Sequence, residues 1–128
     1  MRLLGIDYGT KKVGIAMTDS TGMYAAPYEV LFNNEHLFSE IKNICEREEI
    51  DKIVVGDPAS FKREENEIRE EVGKFAKELS ESLGISVELE NEVYTSKEAE
   101  RIIGRDEMYD ARAAALILKS YVDRQNHK

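Results

Sequence analysis

Three things are scarce in this chain of 128 residues, and each scarcity removes a class of protein. There is one cysteine, Cys45, so no internal disulfide can form and no second thiol is present to build a zinc site with it. A reducing, cytoplasmic address is expected. No apolar run approaches the roughly 20 residues that cross a bilayer, and Met1-Arg2 leads straight into a strand pattern with no secretory apolar region before it. That predicts a soluble, unsecreted protein with no membrane partner. Basic residues are the third shortage: 18 stand against 26 acids, for a formal net charge of -8. Phosphate binding is driven by Lys and Arg releasing counterions, so a broad nonspecific nucleic-acid surface is excluded, and any such contact must be local or assisted by metal. Linkers, internal repeats and low-complexity segments are also missing. This leaves one domain over residues 1–128, long enough to bury a core without staples.

What is present is organised around Leu3 to Asp19. Two apolar runs flank a short turn, as in a β-hairpin, and the first run carries Asp7 in an otherwise hydrophobic setting. An acid there is costly unless a cation, a set of hydrogen bonds or a metal ion meets it. Gly5, Gly9 and Gly14 remove side chains around it and let a backbone, a phosphate or an ion come close. A turn-capping role for Asp7 is the plainer reading of the hairpin alone. Leu3, Leu4 and Ile6 leave this strand no polar side, which predicts that it is central in its sheet.

The remaining pattern alternates strand and helix. Met23 to Phe32 suits a third antiparallel strand, offset at Pro27, and Asn33-Asn34 breaks it. Leu37, Ile41, Ile44 and Cys45 lie at helical spacing within 36–48, making Cys45 a core residue. Lys52 to Gly56 is a continuous apolar run of the kind buried on both faces of a parallel sheet. Ile68, Val72, Phe75, Ala76, Leu79 and Leu83 form the stripe of a helix over 65–83, with Gly84 as its C-cap. Ile85, Val87 and Leu89 alternate with Ser86, Glu88 and Glu90, giving a strand with one apolar face. Thr95-Ser96-Lys97-Glu98 has capping-box spacing and opens a short helix to about Ile103. The last helix begins near Tyr109 and buries Ala113, Ala114, Ile117, Leu118 and Tyr121, ahead of a tail from Arg124 that is expected to fray. The charge runs at 46–49 and 62–71 read as solvated helix faces, and His36 and His127 as surface residues.

This order predicts a mixed five-stranded α/β sheet, its first three strands antiparallel and its helices on both faces. The fourth and fifth strands would then run parallel to the first, so their C-terminal ends share one edge. Asp7 lies on the first strand, Glu92 at the end of the fifth, and Asp110 opens the final helix on the side of Ala114 and Ile117. Three converging carboxylates would repel one another, and make physical sense as ligands for hard divalent cations such as Mg2+ or Mn2+, which promote phosphodiester hydrolysis. Asp110 as an acid placed against the helix dipole, with Glu92 an ordinary loop residue, fits the same spacing.

Longer motifs add a family. Gly5-Ile6-Asp7-Tyr8-Gly9-Thr10-Lys11-Lys12-Val13-Gly14-Ile15-Ala16 resembles the opening motif of the YqgF (RuvX) family, and Asp110-Ala111-Arg112-Ala113-Ala114-Ala115-Leu116-Ile117-Leu118 resembles its closing helix. Val54-Val55-Gly56-Asp57-Pro58 is similar to its strand-end Gly-Leu-Pro motif, and Asn91 to Ala99 falls where it has Asp-Glu-Arg-Leu-Thr-Thr/Ser-x-Glu-Ala. The resemblance runs nearly end to end. It implies an RNase H-like nuclease domain, acting on ribosomal RNA precursor or on DNA Holliday junctions, with Asp7, Glu92 and Asp110 as catalytic acids and metal ligands. Three positions depart from the family: Asn91 replaces Asp, Val93 replaces Arg and Asp57 replaces Leu. An amide ligates through its carbonyl but brings no charge, and Val93 cannot contact phosphate.

Thr10, Lys11, Lys12, Lys62 and Arg63 are the candidate nucleic-acid contacts, the last two in a loop that also offers Phe61 for stacking. So few cations suit a short single-stranded RNA better than the four duplex arms of a junction, with the ribosomal particle free to supply further contacts and the enzyme a monomer or homodimer. Two other classes fit parts of the sequence. Asp7-Tyr8-Gly9-Thr10 also resembles the first phosphate motif of actin-like ATPases and sugar kinases, which close two such domains over a nucleotide where this chain has room for one. A noncatalytic binding module would explain Asn91 and Val93, but not the retention of three acids.

Overall fold

The computed structural model describes residues 1–57, 66–91 and 107–126. Its first two strands, β1 (Leu3–Asp7) and β2 (Lys12–Thr18), pair antiparallel with Leu4 opposite Met17 and Asp7 opposite Gly14. β3 (Ala25–Phe32) adds to β2, and its register passes from Ile15 opposite Glu29 to Ala16 opposite Pro27. Tyr28 is therefore the extra residue of a bulge, which is the offset expected at Pro27. Met23 and Tyr24 fall outside the strand, in a turn closed by the Thr21 hydroxyl donating to Asp19 Oδ1 at 2.6 Å.

The chain then crosses over. α1 (Leu37–Arg47) buries Leu37, Ile41, Ile44 and Cys45, and burial together with Glu46 pushes the Cys45 thiol up to about 11. β4 (Lys52–Asp57) lies parallel to β1, with Ile53, Val54 and Val55 fully buried. α2 (Asn66–Leu83) follows, and Gly84 at φ +66° turns the chain out of it with its N–H on the Ser80 carbonyl at 2.9 Å. β5 (Ser86–Asn91) pairs parallel with β4, and α3 (Tyr109–Asn126) completes the chain. The expected helix over 95–103 lies outside the described residues.

The sheet order is β3-β2-β1-β4-β5, which puts β1 at the centre as Asp7 and its apolar neighbours implied. Helices cover both faces. Leu4, Ile6, Val13, Ile15, Ile53 and Val55 meet Ile41, Val72, Phe75 and Leu79 of α1 and α2 on one side. Leu3, Ala16 and Val54 meet Ala114, Ile117, Leu118 and Tyr121 of α3 on the other. Each large side chain buried in this way contributes about 1.5–3 kcal/mol.

Two expectations need correction. Ala111, not Ala113, is buried on α3, because the stripe follows Ala111, Ala114, Ile117, Leu118, Tyr121 and Val122. Arg124 does not fray: the helix continues to Asn126, and Arg124 bonds to Glu90 on β5. The apolar face expected of β5 is present, with Ile85 and Val87 packed against the α1/α2 core, while Glu90 on the other face is buried beneath α3.

Candidate active site

The C-terminal ends of β1, β3 and β4 and the start of β2 share one edge of the sheet. Side chains alternate along β1: Leu4 and Ile6 enter the layer beneath α1 and α2, whereas Leu3 and Gly5 face α3. Asp7 continues the second set. Its half-buried carboxylate leaves the sheet on the α3 side, at this edge.

Two glycines let α3 lie directly on the central hairpin. A Cβ at Gly5 would stand 3.0 Å from both the Ala114 carbonyl oxygen and Leu118 Cβ. At Gly14 it would stand 1.8 Å from the Asp110 carbonyl oxygen, so any side chain there displaces helix backbone. Gly14 is the in-register partner of Asp7, and the first turn of α3 is thereby set beside Asp7. Asp110 belongs to that turn, is half-buried, and shares the helix face of Ala114 and Ile117. The first turn of α3, which carries Asp110, thus lies beside the β1–β2 rung that carries Asp7. The start of a helix also presents unpaired N–H groups and the positive end of its dipole, a setting that favours a carboxylate or phosphate nearby.

Beyond Asp7 the turn is pinned by a residue that sequence reasoning treated only as a strand breaker. Asn33 Nδ2 donates to the Gly9 carbonyl at 2.8 Å, and the Asn33 N–H donates to the Lys11 carbonyl at 2.9 Å. Thr10, Lys11 and Lys12 project from this turn into solvent, at the same edge as Asp7. Lys62, Arg63 and Glu92 lie outside the described residues, Glu92 following Asn91 at the end of β5. Among the described residues, no group of three His, Cys, Asp or Glu side chains is placed to hold a metal ion.

A second polar cluster was not foreseen. Glu90 accepts from Arg124 Nε at 3.0 Å, Arg124 Nη2 at 2.6 Å and the Ser120 hydroxyl at 3.1 Å, tying the C-terminal half of α3 to β5. One rung back, Glu88 accepts from the Tyr121 hydroxyl and, at 3.5 Å, from Lys52 Nζ. The Tyr121 hydrogen bond, with Lys52 behind it, holds the Glu88 carboxyl below the usual range, and the same hydroxyl raises Lys52. The alternation of Glu88 and Glu90 with apolar residues was the visible signal.

A five-stranded sheet in this order, with its first three strands antiparallel and a helix laid on the central hairpin, defines the RNase H-like class of folds. The solved structure described as "T. thermophilus RuvC in complex with Holliday junction substrate" superposes with a TM-score of 0.63 over 98% of this chain and 96% of that one, at 17% identity. The chain belongs to the RuvX family, described as "RuvX: Holliday junction resolvase", which matches residues 1–124. A Sulfurihydrogenibium sp. (strain YO3AOP1) protein named "Putative pre-16S rRNA nuclease" is 33% identical over 96% of this chain and 90% of its own length. A Chlorobaculum tepidum protein of the same name is 36% identical, covering 95% of this chain and 93% of its own.

Proposed function

We propose that this chain is a divalent-metal-dependent nuclease that hydrolyses phosphodiester bonds in ribosomal RNA precursor in the cytoplasm, with residues 1–128 forming one nuclease domain. The observation that carries this reading is the seat of Asp110 on Gly14, opposite Asp7. β1 and the first turn of α3 carry two carboxylates to this one edge, and oxygen donors of that kind are what a hard divalent cation takes. The donors are carboxylate oxygens in a half-buried setting, which fits Mg2+ or Mn2+.

Asp7 and Asp110 would hold the ion together with Glu92, which follows β5 in the sequence. When bound, such an ion activates water and neutralises charge on the attacking and leaving oxygens. The chain's own residues position the substrate. Lys11 and Lys12, with Thr10, present cations and a hydroxyl to the phosphates entering the edge, on a turn held by Asn33; Lys62 and Arg63 complete the proposed cluster. Asn91 contributes one charge fewer than the family's Asp, which lowers metal affinity without removing a ligand atom.

The relatives' name, the net charge of -8 and the few local cations favour a short single-stranded RNA segment, with the ribosomal particle supplying further contacts. The family description favours a second reading, cleavage of DNA junctions. Incubating the protein with single-stranded RNA spanning a 16S precursor end, single-stranded DNA and a four-way DNA junction, each with Mg2+, Mn2+ or chelator, separates them. Metal-dependent cleavage of the RNA alone supports the first reading, and preferential cleavage of the junction overturns it.

A further inference from the structure

We infer that Phe32 is a base-stacking platform for single-stranded RNA entering the active site, with Lys12 holding the adjoining phosphate. This rests on the nuclease reading above and names how that site grips its substrate.

Phe32 is the last residue of β3 and is 66% exposed. Single exposed aromatics are ordinary on protein surfaces, and exposure alone decides nothing. Position does. Phe32 pairs directly with Lys12, so the two side chains leave the same face of the sheet with Cβ atoms about 5 Å apart. On β2 that face is the α3 face, because Gly14, two residues on, carries the first turn of α3 and Ala16 packs beneath the helix. The Lys12–Phe32 rung lies one step beyond the helix start toward the sheet edge, and it remains uncovered. Asp7 occupies the neighbouring rung, opposite Gly14. Strand geometry places the Phe32 Cα about 12 Å from that of Asp7, a distance that a few nucleotides cross.

The backbone that carries the ring is also held in place before any ligand arrives. Asn33 fixes the chain immediately after it, through its N–H to Lys11 and its amide to Gly9, and the Phe32 carbonyl accepts the Asn34 N–H at 3.1 Å. An exposed aromatic on a fixed backbone beside cations stacks a base of any sequence, which suits a single strand and not a paired duplex. Tyr24 offers an internal control: it is 75% exposed but precedes the opposite end of β3.

The chain contains no tryptophan, so Phe32→Trp installs a lone fluorophore on the platform. The probe is fluorescein-labelled single-stranded oligouridylate, with binding followed by anisotropy in the Asp7→Asn background to keep the RNA intact, and circular dichroism confirming the fold of each variant. Quenching of the indole in step with the anisotropy is expected. Phe32→Ala should weaken binding by about 5- to 100-fold and raise KM more than it lowers kcat on an otherwise unchanged parent; Tyr24→Ala should leave binding as it is. Lys12→Gln should reduce the dependence of log affinity on log salt by about 0.7, the value for one phosphate on a single strand. An unquenched indole on saturating RNA, or parental affinity in Phe32→Ala, overturns the inference while leaving the nuclease reading intact. A change from dimer to monomer in Phe32→Ala with RNA affinity unaltered overturns it in favour of a self-contact. A parent that neither binds nor cleaves RNA removes both.

Discussion

The carbonyl oxygen of Asp110 fills the space that a side chain on Gly14 would need, 1.8 Å from where its Cβ would stand. Gly14→Ala must therefore push the start of α3 off the hairpin. We expect a loss of roughly 3 kcal/mol in urea unfolding, the upper end of overpacking costs, and a fall in cleavage larger than the unfolded fraction explains. Gly5→Ala meets Ala114 and Leu118 at 3.0 Å and gives the milder comparison, since small shifts of α3 relieve it. Equal effects at the two positions would contradict the seat assigned to Asp110.

Glu90 is buried while Arg124, its main partner, has a half-exposed side chain. Removing the cation strands a buried carboxylate. Arg124→Ala should destabilise the protein, by less than breaking a fully buried pair would because water reaches the arginine side and Ser120 still donates. Glu90→Gln paired with Arg124→Ala should recover part of that loss in a double-mutant cycle, whereas strictly additive losses would show that the pair does not couple.

The Glu88 carboxyl is held below its ordinary value of 4.5 by the Tyr121 hydroxyl and then Lys52. A depressed folded-state pKa stabilises above the ordinary value and loses that contribution as pH falls through the folded one. Glu88→Gln should thus be less stable than the parent at neutral pH, with the difference narrowing below about pH 4.5 when unfolding is followed across an acid series. Lys52 is raised above 10.5 by the same hydroxyl, so its contribution is intact below that pH and is lost as pH rises through the folded value. A gap between parent and variant that widens in acid would contradict this assignment.

Local patterns carried most of this architecture. The hairpin, the α2 stripe and the apolar β4 run each have a period that names their secondary structure, and the isolated acid in β1 correctly implied a central strand. Alternation on β5 separated Leu89 from Glu90 but could not say which element covers each face; α3, far along the chain, buries Glu90. Arg124 looked like tail for the same reason, since its partner is 34 residues away. Asn33 read as a breaker because Asn disfavours strands, and its second role, holding the turn at Gly9 and Lys11, depends on β3 returning beside that turn. Strand order and the helix stripe pointed to one sheet edge for Asp7 and Asp110, and the first turn of α3 does lie beside the Asp7–Gly14 rung.

Cleavage of a labelled 16S precursor fragment by the parent, Asp7→Asn and Asp110→Asn, in Mg2+, Mn2+ and chelator, tests the central claim most directly. Each amide keeps the side-chain volume and removes one charge from the proposed ion site, so the fold should persist. The account predicts metal-dependent cleavage by the parent, abolished by chelator and lowered on the order of a hundredfold or more by either substitution. Parental cleavage by Asp7→Asn, or cleavage undiminished in chelator, would contradict it.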